Sequence, residues 1–308
     1  VQEIFDILPK SILHVVQQLP PSMSEHLEEI RIRVARPLEM IVRGEPYFPN
    51  YYVTTEDGVQ LLNKLSQYSI YSIEEELKRG FITIQGGHRV GLAGKVITEG
   101  GKVKAIRHVT SFNIRIARQK IGIAEPLVSY LYDQRWLNTV IIGSPQTGKT
   151  TLLRDIARLI STGMKSKKID SKKIGIVDER SEIAGCVKGI PQFDFGPRVD
   201  VLDACPKAEG MMMMIRSMSP DVLIVDEIGR AEDSEAILEA VNAGVSLFMT
   251  VHGRKREDLL CRPTLRPIME QAVFKRFVEL TNENGPGTIA RITDAQGRTL
   301  YEKARVMA

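Results

Sequence analysis

Gly143-Ser144-Pro145-Gln146-Thr147-Gly148-Lys149-Thr150 fits the pattern G-x-x-x-x-G-K-[ST], and its flanks are the ones that pattern needs. The apolar run at 139–142 reads as a buried strand, and residues 151–160 carry apolar side chains at helical spacing. Strand, glycine loop and helix together predict a phosphate cradle built from Gly143 to Thr151. Backbone N–H groups of the loop converge on a β-phosphate, the helix N-terminus adds its positive dipole end, and Lys149 reaches the β/γ oxygens. Thr150 would set its hydroxyl on Mg²⁺, a hard cation that prefers oxygen ligands. The expected ligand is a nucleoside triphosphate.

Working outward, the 308 residues suggest two domains, each able to bury a core. Hydrophobic residues make up 43% and charged residues 26%, the mix of an ordinary globular protein. A formal net charge of +4 does not mark the whole molecule as a nucleic-acid binder. Cys186, Cys205 and Cys261 lack metal-ligand spacing and read as reduced thiols of a cytoplasmic protein. No apolar run approaches the roughly 20 residues of a membrane-spanning helix, and no signal peptide opens the chain. Membrane association is therefore expected through a partner or a surface patch.

Residues 1–135 read as a mixed α/β domain without a nucleotide motif. Strands are expected at 30–34, 38–43, 81–85, 90–98, 105–109 and 112–117. A helix is expected over 54–67, with Val59, Leu61, Leu62 and Leu65 on one stripe. Ser72-Ile-Glu-Glu75 reads as a capping box for a second helix, and Pro126 opens a third. Residues 136–308 alternate strand and helix, as a domain with a parallel sheet should. Strands are expected at 139–142, 174–178, 221–225 and 245–251, and helices at 149–161, 207–218 and 232–243. The lysine-rich stretch 162–173 reads as a solvated loop, with nucleic acid or anionic lipid as a weaker possibility.

Val222-Leu-Ile-Val225-Asp226-Glu227 is the second signal: an apolar strand delivers two acids at its carboxyl edge, where open α/β sheets bind ligands. Asp226 would hold Mg²⁺ through its water shell, and Glu227 would polarise the attacking water. That pairing favours hydrolysis over transfer to an acceptor. Val177-Asp178-Glu179-Arg180 repeats the strand–acid arrangement. If its strand lies between those of Gly143 and Asp226, Glu179 also points into the site. Either Glu179 or Glu227 would orient water, the sequence alone not apportioning the work, with Glu227 favoured. Phe248-Met-Thr250-Val-His252 ends a fourth strand, where Thr250 or His252 would sense the γ-phosphate. Arg115 and Arg118 lie before the domain boundary as candidate γ-phosphate arginines, although a solvated strand face is the simpler reading of their sequence.

Over nearly its whole length the chain resembles the stage III sporulation protein AA family, relatives of the secretion ATPases of type II and type IV systems. The resemblance rests on Glu29-Ile-Arg-Ile-Arg33, Gly86-Gly-His-Arg-Val-Gly-Leu-Ala-Gly94, Phe112-Asn-Ile-Arg-Ile-Ala-Arg118, the glycine loop, Val177-Asp-Glu-Arg-Ser-Glu-Ile183, and Arg216 to Arg230. It implies a RecA-like P-loop ATPase domain with a mostly parallel sheet, preceded by a smaller mixed α/β domain. It implies ATP with Mg²⁺ and a homo-hexameric ring at the cytoplasmic face of a membrane channel between mother cell and forespore, on the mother-cell side. Channel subunits are the implied partners, and no nucleic acid is expected. The family's Asp box falls on Asp178 and Glu179 and its His box on His252; N-terminal arginines complete the nucleotide site, which strengthens Arg115 and Arg118. Ser144 stands where the family pattern has Pro. No Cys₄ zinc module is present, so no metal besides Mg²⁺ is expected. A nucleic-acid-stimulated motor and an ATP-dependent scaffold with negligible turnover are the rival functions.

Overall fold

The computed structural model describes residues 2–67 and 73–303. The chain divides into two compact units, Val1–Arg118 with Gly185–Gln192, and Gln119–Ala184 with Phe193–Ala308.

The first unit is built on an antiparallel sheet of six strands. These are β1 (Leu27–Arg33), β2 (Glu39–Val42), β3 (Glu45–Tyr47), β4 (Phe81–Ile84), β5 (His88–Glu99) and β6 (Lys102–Arg115), in the order β3-β2-β1-β6-β5-β4. Register sets Ile30 opposite Ile114 and Leu92 opposite Phe112, so alternate apolar residues share one face. There they pack with Ile12 and Val16 of helix Lys10–Gln17 and with Leu61 and Leu65 of helix Thr55–Leu65. Thr54 and Asp57 close a capping box at the start of the latter helix. Val59, expected on its buried stripe, is instead exposed. The strands expected at 105–109 and 112–117 are one continuous strand, β6. The expected cap at Ser72 lies outside the described residues; the helix after it, Glu74–Arg79, ends on left-handed Gly80.

The second unit opens with a small hairpin, β7 (Tyr132–Asp133) and β8 (Arg135–Trp136). Its main sheet comprises β9 (Thr139–Gly143), β10 (Ile174–Asp178), β11 (Val199–Asp203), β12 (Val222–Val225), β13 (Ser246–His252), β14 (Arg276–Thr281), β15 (Thr288–Asp294) and β16 (Thr299–Glu302). The order is β11-β10-β12-β13-β9-β14-β15-β16, with β11 through β14 parallel and the last two antiparallel. The central strands are buried along their whole length, as a parallel sheet covered on both faces demands. Val140, Ile142, Leu223, Val225, Leu247 and Met249 pack against Met211, Met214, Ile237 and Ala240 of helices Lys207–Ser217 and Ala231–Asn242. Helix Lys149–Thr162 packs against β9, β10 and β13. Residues 119–135, read from sequence as part of the first domain, group with this unit. Here the Ala124 amide donates to Asp155 at 2.8 Å and Arg276 donates to the Tyr130 carbonyl at 2.7 Å. No helix among the described residues is long and apolar enough to cross a membrane.

Candidate functional site

Strand β9 ends at Gly143, where any Cβ would run into the Thr147 hydroxyl. That hydroxyl donates to the Ser144 carbonyl at 2.8 Å and pins the loop's interior. Gly148 adopts φ 88°, and a Cβ there would lie 2.8 Å from the Gly287 nitrogen, which donates to the Thr147 carbonyl at 2.8 Å. Only glycine meets both demands, the left-handed backbone and the close approach of the 282–287 turn. Ser144, Pro145 and Gln146 form the exposed crest, Thr147 is buried, and Thr151 sits half-buried in the helix's first turn.

Lys149 is only 6% exposed. Its ammonium donates to the carbonyls of Gly143 and Ser144, both at 3.0 Å, and lies 3.3 Å from His252 Nδ1. Burial pushes its pKa down, while Asp226, Glu227 and Glu182 pull it up. The Thr150 hydroxyl donates to Asp226 Oδ2 at 3.0 Å, and Thr250 donates to the other oxygen of the same carboxylate. The Thr250 hydroxyl also accepts the Glu227 amide at 2.9 Å. Glu227 itself adopts φ 51°, a left-handed conformation costly for a side chain of its size and held here by that bond. Its carboxylate lies 2.6 Å from His252 Nε2 and 2.9 Å from Arg180 Nη1. One neutral tautomer of His252 serves both neighbours: Nε2–H donates to Glu227 and Nδ1 accepts from Lys149. The result is a continuous polar chain, Lys149–His252–Glu227–Arg180.

Strand order explains these meetings. Strand β13 lies between β9 and β12, so Thr250 and His252 stand between the glycine loop and the Asp226–Glu227 pair. Strand β10 lies on the far side of β12. The strand of Glu179 is therefore not between those of Gly143 and Asp226, but it pairs directly with β12, and Glu179 lines one small pocket with Asp226, Glu227, Arg180 and Lys207. There Glu179 pairs with Lys207 and stands 3.9 Å from Arg230. Asp178 is buried and spends its carboxylate on the amides of Glu182, Ile183 and Ala184, at 2.8–2.9 Å. Burial pushes its pKa up to about 6 despite those amides. Arg154, on the helix behind the glycine loop, donates to the carbonyls of Ile183 and Glu182 at 2.8 and 2.9 Å. Burial lowers its pKa to about 10, so it stays charged at neutral pH.

In the first unit, Arg115 stands 3.6 Å from Glu29, and Arg118 donates to the carbonyls of Glu25 and Leu27. The sequence reading passed over three contributors: Arg180, Arg154 and Gly287. Arg180 directly follows Asp178-Glu179 and was open to notice there. Nothing local ties Gly287 to a loop so far away in sequence.

The Thr150 hydroxyl and Asp226 carboxylate form a hard oxygen pair beside a helix N-terminus, a donor set that suits Mg²⁺ carried in by phosphates. A family model described as "Sporulation stage III, protein AA" matches residues 1–300. The chain belongs to this sporulation stage III, protein AA family. It is 59% identical over 298 residues to the stage III sporulation protein AA of Bacillus subtilis strain 168, covering 97% of this chain and 96% of that one. Among solved structures it is similar to the ATPase DotB of Yersinia pseudotuberculosis, with TM-score 0.59, 15% identity, and 87% and 76% of the two chains covered. It is also similar to the pilus retraction motor PilT, solved with ADP, with TM-score 0.57, 16% identity, and 90% and 77% covered. At such identities the likeness is one of fold. This member of the sporulation stage III, protein AA family thus shares the RecA-like fold of these two proteins, with a mostly parallel sheet in its second unit.

Proposed function

We propose that the chain binds ATP with Mg²⁺ across Gly143–Thr151 and hydrolyses it. The observation that carries this reading is the polar chain joining Lys149 to Glu227 through His252, set beside the Thr150–Asp226 pair. Thr150 and Asp226 would hold magnesium, which when bound supplies positive charge to the phosphate oxygens. Lys149 would trade the carbonyls of Gly143 and Ser144 for β/γ oxygens and meet the charge that develops there. Glu227, tethered through its amide to Thr250, would orient the attacking water. Once the γ-phosphate leaves, Lys149 would return to the loop carbonyls and to His252, the geometry described above. His252 would pass that change to Glu227 and to the 179–184 loop through Arg180.

Within the same proposal, the chain works as a homo-hexamer at the cytoplasmic face of a membrane channel on the mother-cell side. There it couples turnover to assembly or operation of the channel, and Arg115 or Arg118 completes a nucleotide site. Family membership and the secretion-ATPase fold support this setting. The test is ATP turnover and binding of a fluorescent ATP analogue by wild type and Lys149→Ala. Loss of both activities in the variant is expected, and wild-type turnover in the variant overturns the assignment.

A further inference from the structure

Helix Lys149–Thr162 carries the glycine loop at one end; about 21 Å away, at 1.5 Å per residue, its other end runs into a basic knob. The helix stops at Gly163, whose φ of 73° turns the chain and where a Cβ would lie 2.7 Å from the Ser171 nitrogen. Met164 and Ile169 exchange backbone hydrogen bonds at 2.8 and 3.1 Å, and the Ile169 side chain is buried. Arg198 braces the structure by donating to the Ser171 carbonyl at 2.7 Å. The expected solvated loop is thus a folded protrusion. Its geometry turns Lys165, Lys167, Lys168 and Lys172 to solvent, with Asp170 as the acid among them. None of these four lysines forms an ion pair among the described residues.

A second segment adjoins the knob. Lys167 Nζ donates to the Glu125 carbonyl at 3.4 Å, and the Glu125 amide closes a turn onto the Gly122 carbonyl at 3.2 Å. Just before that turn stand exposed Lys120 and Ile121, the isoleucine 62% exposed. The Glu125 carboxylate faces Arg158 at 4.0 Å. The patch therefore combines unneutralised lysines with a bare apolar side chain. It lies at the amino-terminal edge of the parallel strands, opposite the carboxyl edge that bears Lys149 and Glu227.

We propose that this patch docks the second unit directly onto an anionic phospholipid bilayer, with the lysines over headgroup phosphates and Ile121 in the interface. This goes beyond attachment through a channel subunit, and it does not depend on ATP hydrolysis. Charge draws the protein to the surface and the apolar residue supplies the second signal that stable peripheral binding needs. Nucleic acid fits less well. The cluster is made of lysines, which act as point charges without arginine's fixed fork, and it presents no exposed aromatic ring for base stacking.

The test is co-sedimentation of the full chain with phosphatidylglycerol vesicles and with phosphatidylcholine vesicles, with a fluorescent DNA oligonucleotide in parallel. The wild type is expected to bind the anionic vesicles, weakly or not at all the zwitterionic ones, and to release as salt rises. Each surface lysine contributes about fivefold to partitioning, so the triple variant Lys165→Gln/Lys167→Gln/Lys168→Gln should bind about a hundredfold more weakly. Ile121→Ser should lower binding at every salt concentration. Lys149→Ala should bind vesicles like the wild type, so failure of docking and failure of the ATPase assignment are read separately. Circular dichroism checks the fold of each variant; should the triple variant unfold, the single variants carry the test at fivefold each. Three results overturn the proposal: no binding to anionic vesicles, undiminished binding by the lysine variants, or a patch that binds DNA but not vesicles.

Discussion

Replacing Glu227 with glutamine tests the assignment of the water-orienting group against its nearest rival, Glu179. Glutamine keeps the size of the side chain and one acceptor oxygen, so it can still serve either His252 or Arg180, which contact the two carboxylate oxygens at 2.6 and 2.9 Å. The Arg180 side chain is 59% exposed, so losing its ion pair should cost under about 1 kcal/mol. Turnover should respond far more. Removing a positioned general base lowers rate by about 10²–10⁴, so the variant should turn over at least about a hundredfold slower, a barrier increase of about 3 kcal/mol or more. Nucleotide affinity should stay within about threefold, because the phosphate contacts belong to the loop and to Lys149. Glu179→Gln should show the opposite pattern. It leaves Lys207, only 8% exposed, without its carboxylate, which should cost about 1–3 kcal/mol of stability. Its turnover should stay within about threefold, since its carboxylate is paired with Lys207, whereas Glu227 is the acid in contact with His252. Single-turnover phosphate release and urea unfolding of both variants give the two numbers. A Glu179→Gln enzyme that loses turnover a hundredfold beside a near-normal Glu227→Gln enzyme would refute the reasoning.

Gly148→Ala should destabilise the chain by about 2–3 kcal/mol, from the left-handed backbone and the displaced Gly287–Thr147 hydrogen bond, and should weaken ATP binding; urea midpoints and analogue titration read both. Thr250→Val should lower kcat with little change in KM, because it unties the Glu227 amide from its 2.9 Å acceptor; an unchanged kcat would show that the strained backbone holds without it. Asp178 has a carboxyl raised from 3.8 to about 6, so the folded state keeps its proton longer than the unfolded state does. Ionisation therefore opposes folding: wild-type stability should fall relative to Asp178→Asn as pH rises from about 4 to about 6, by up to about 3 kcal/mol. A stability difference that stays flat across that window would contradict the assigned burial.

What could be read from the sequence was what is encoded locally. The glycine loop and the run Val222–Glu227 each carry their strand and their acids or amides within a few residues, and they lie where that reading put them. The order of strands was not readable, because a crossover helix can return the chain beside its own strand or beyond a neighbour. Thus β10 follows β9 in sequence yet lies three places away, and Glu179 goes with it. Strands β14 to β16 escaped notice for another reason. Glu279 interrupts the apolar run of β14, but it is buried because Arg291 and the Arg256 amide satisfy it at 2.8–3.0 Å. A hydropathy pattern cannot anticipate a partner supplied by another strand.

The same non-local logic gives the 179–184 loop its place in the mechanism. Its amides are held by Asp178 at the end of β10, and its carbonyls by Arg154 on the helix that begins at the glycine loop. Both ends of the grip are buried, so the loop cannot shift without breaking hydrogen bonds in a dry interior, where each unpaired group costs about 1–3 kcal/mol. A rotation of helix Lys149–Thr162 on nucleotide binding would therefore strain the loop through Arg154 against its anchor at Asp178. Arg180 belongs to that loop and pairs with Glu227, so the strain would reach the carboxylate proposed to orient water. Severing the grip at Arg154 should then uncouple binding from turnover while leaving the glycine loop intact.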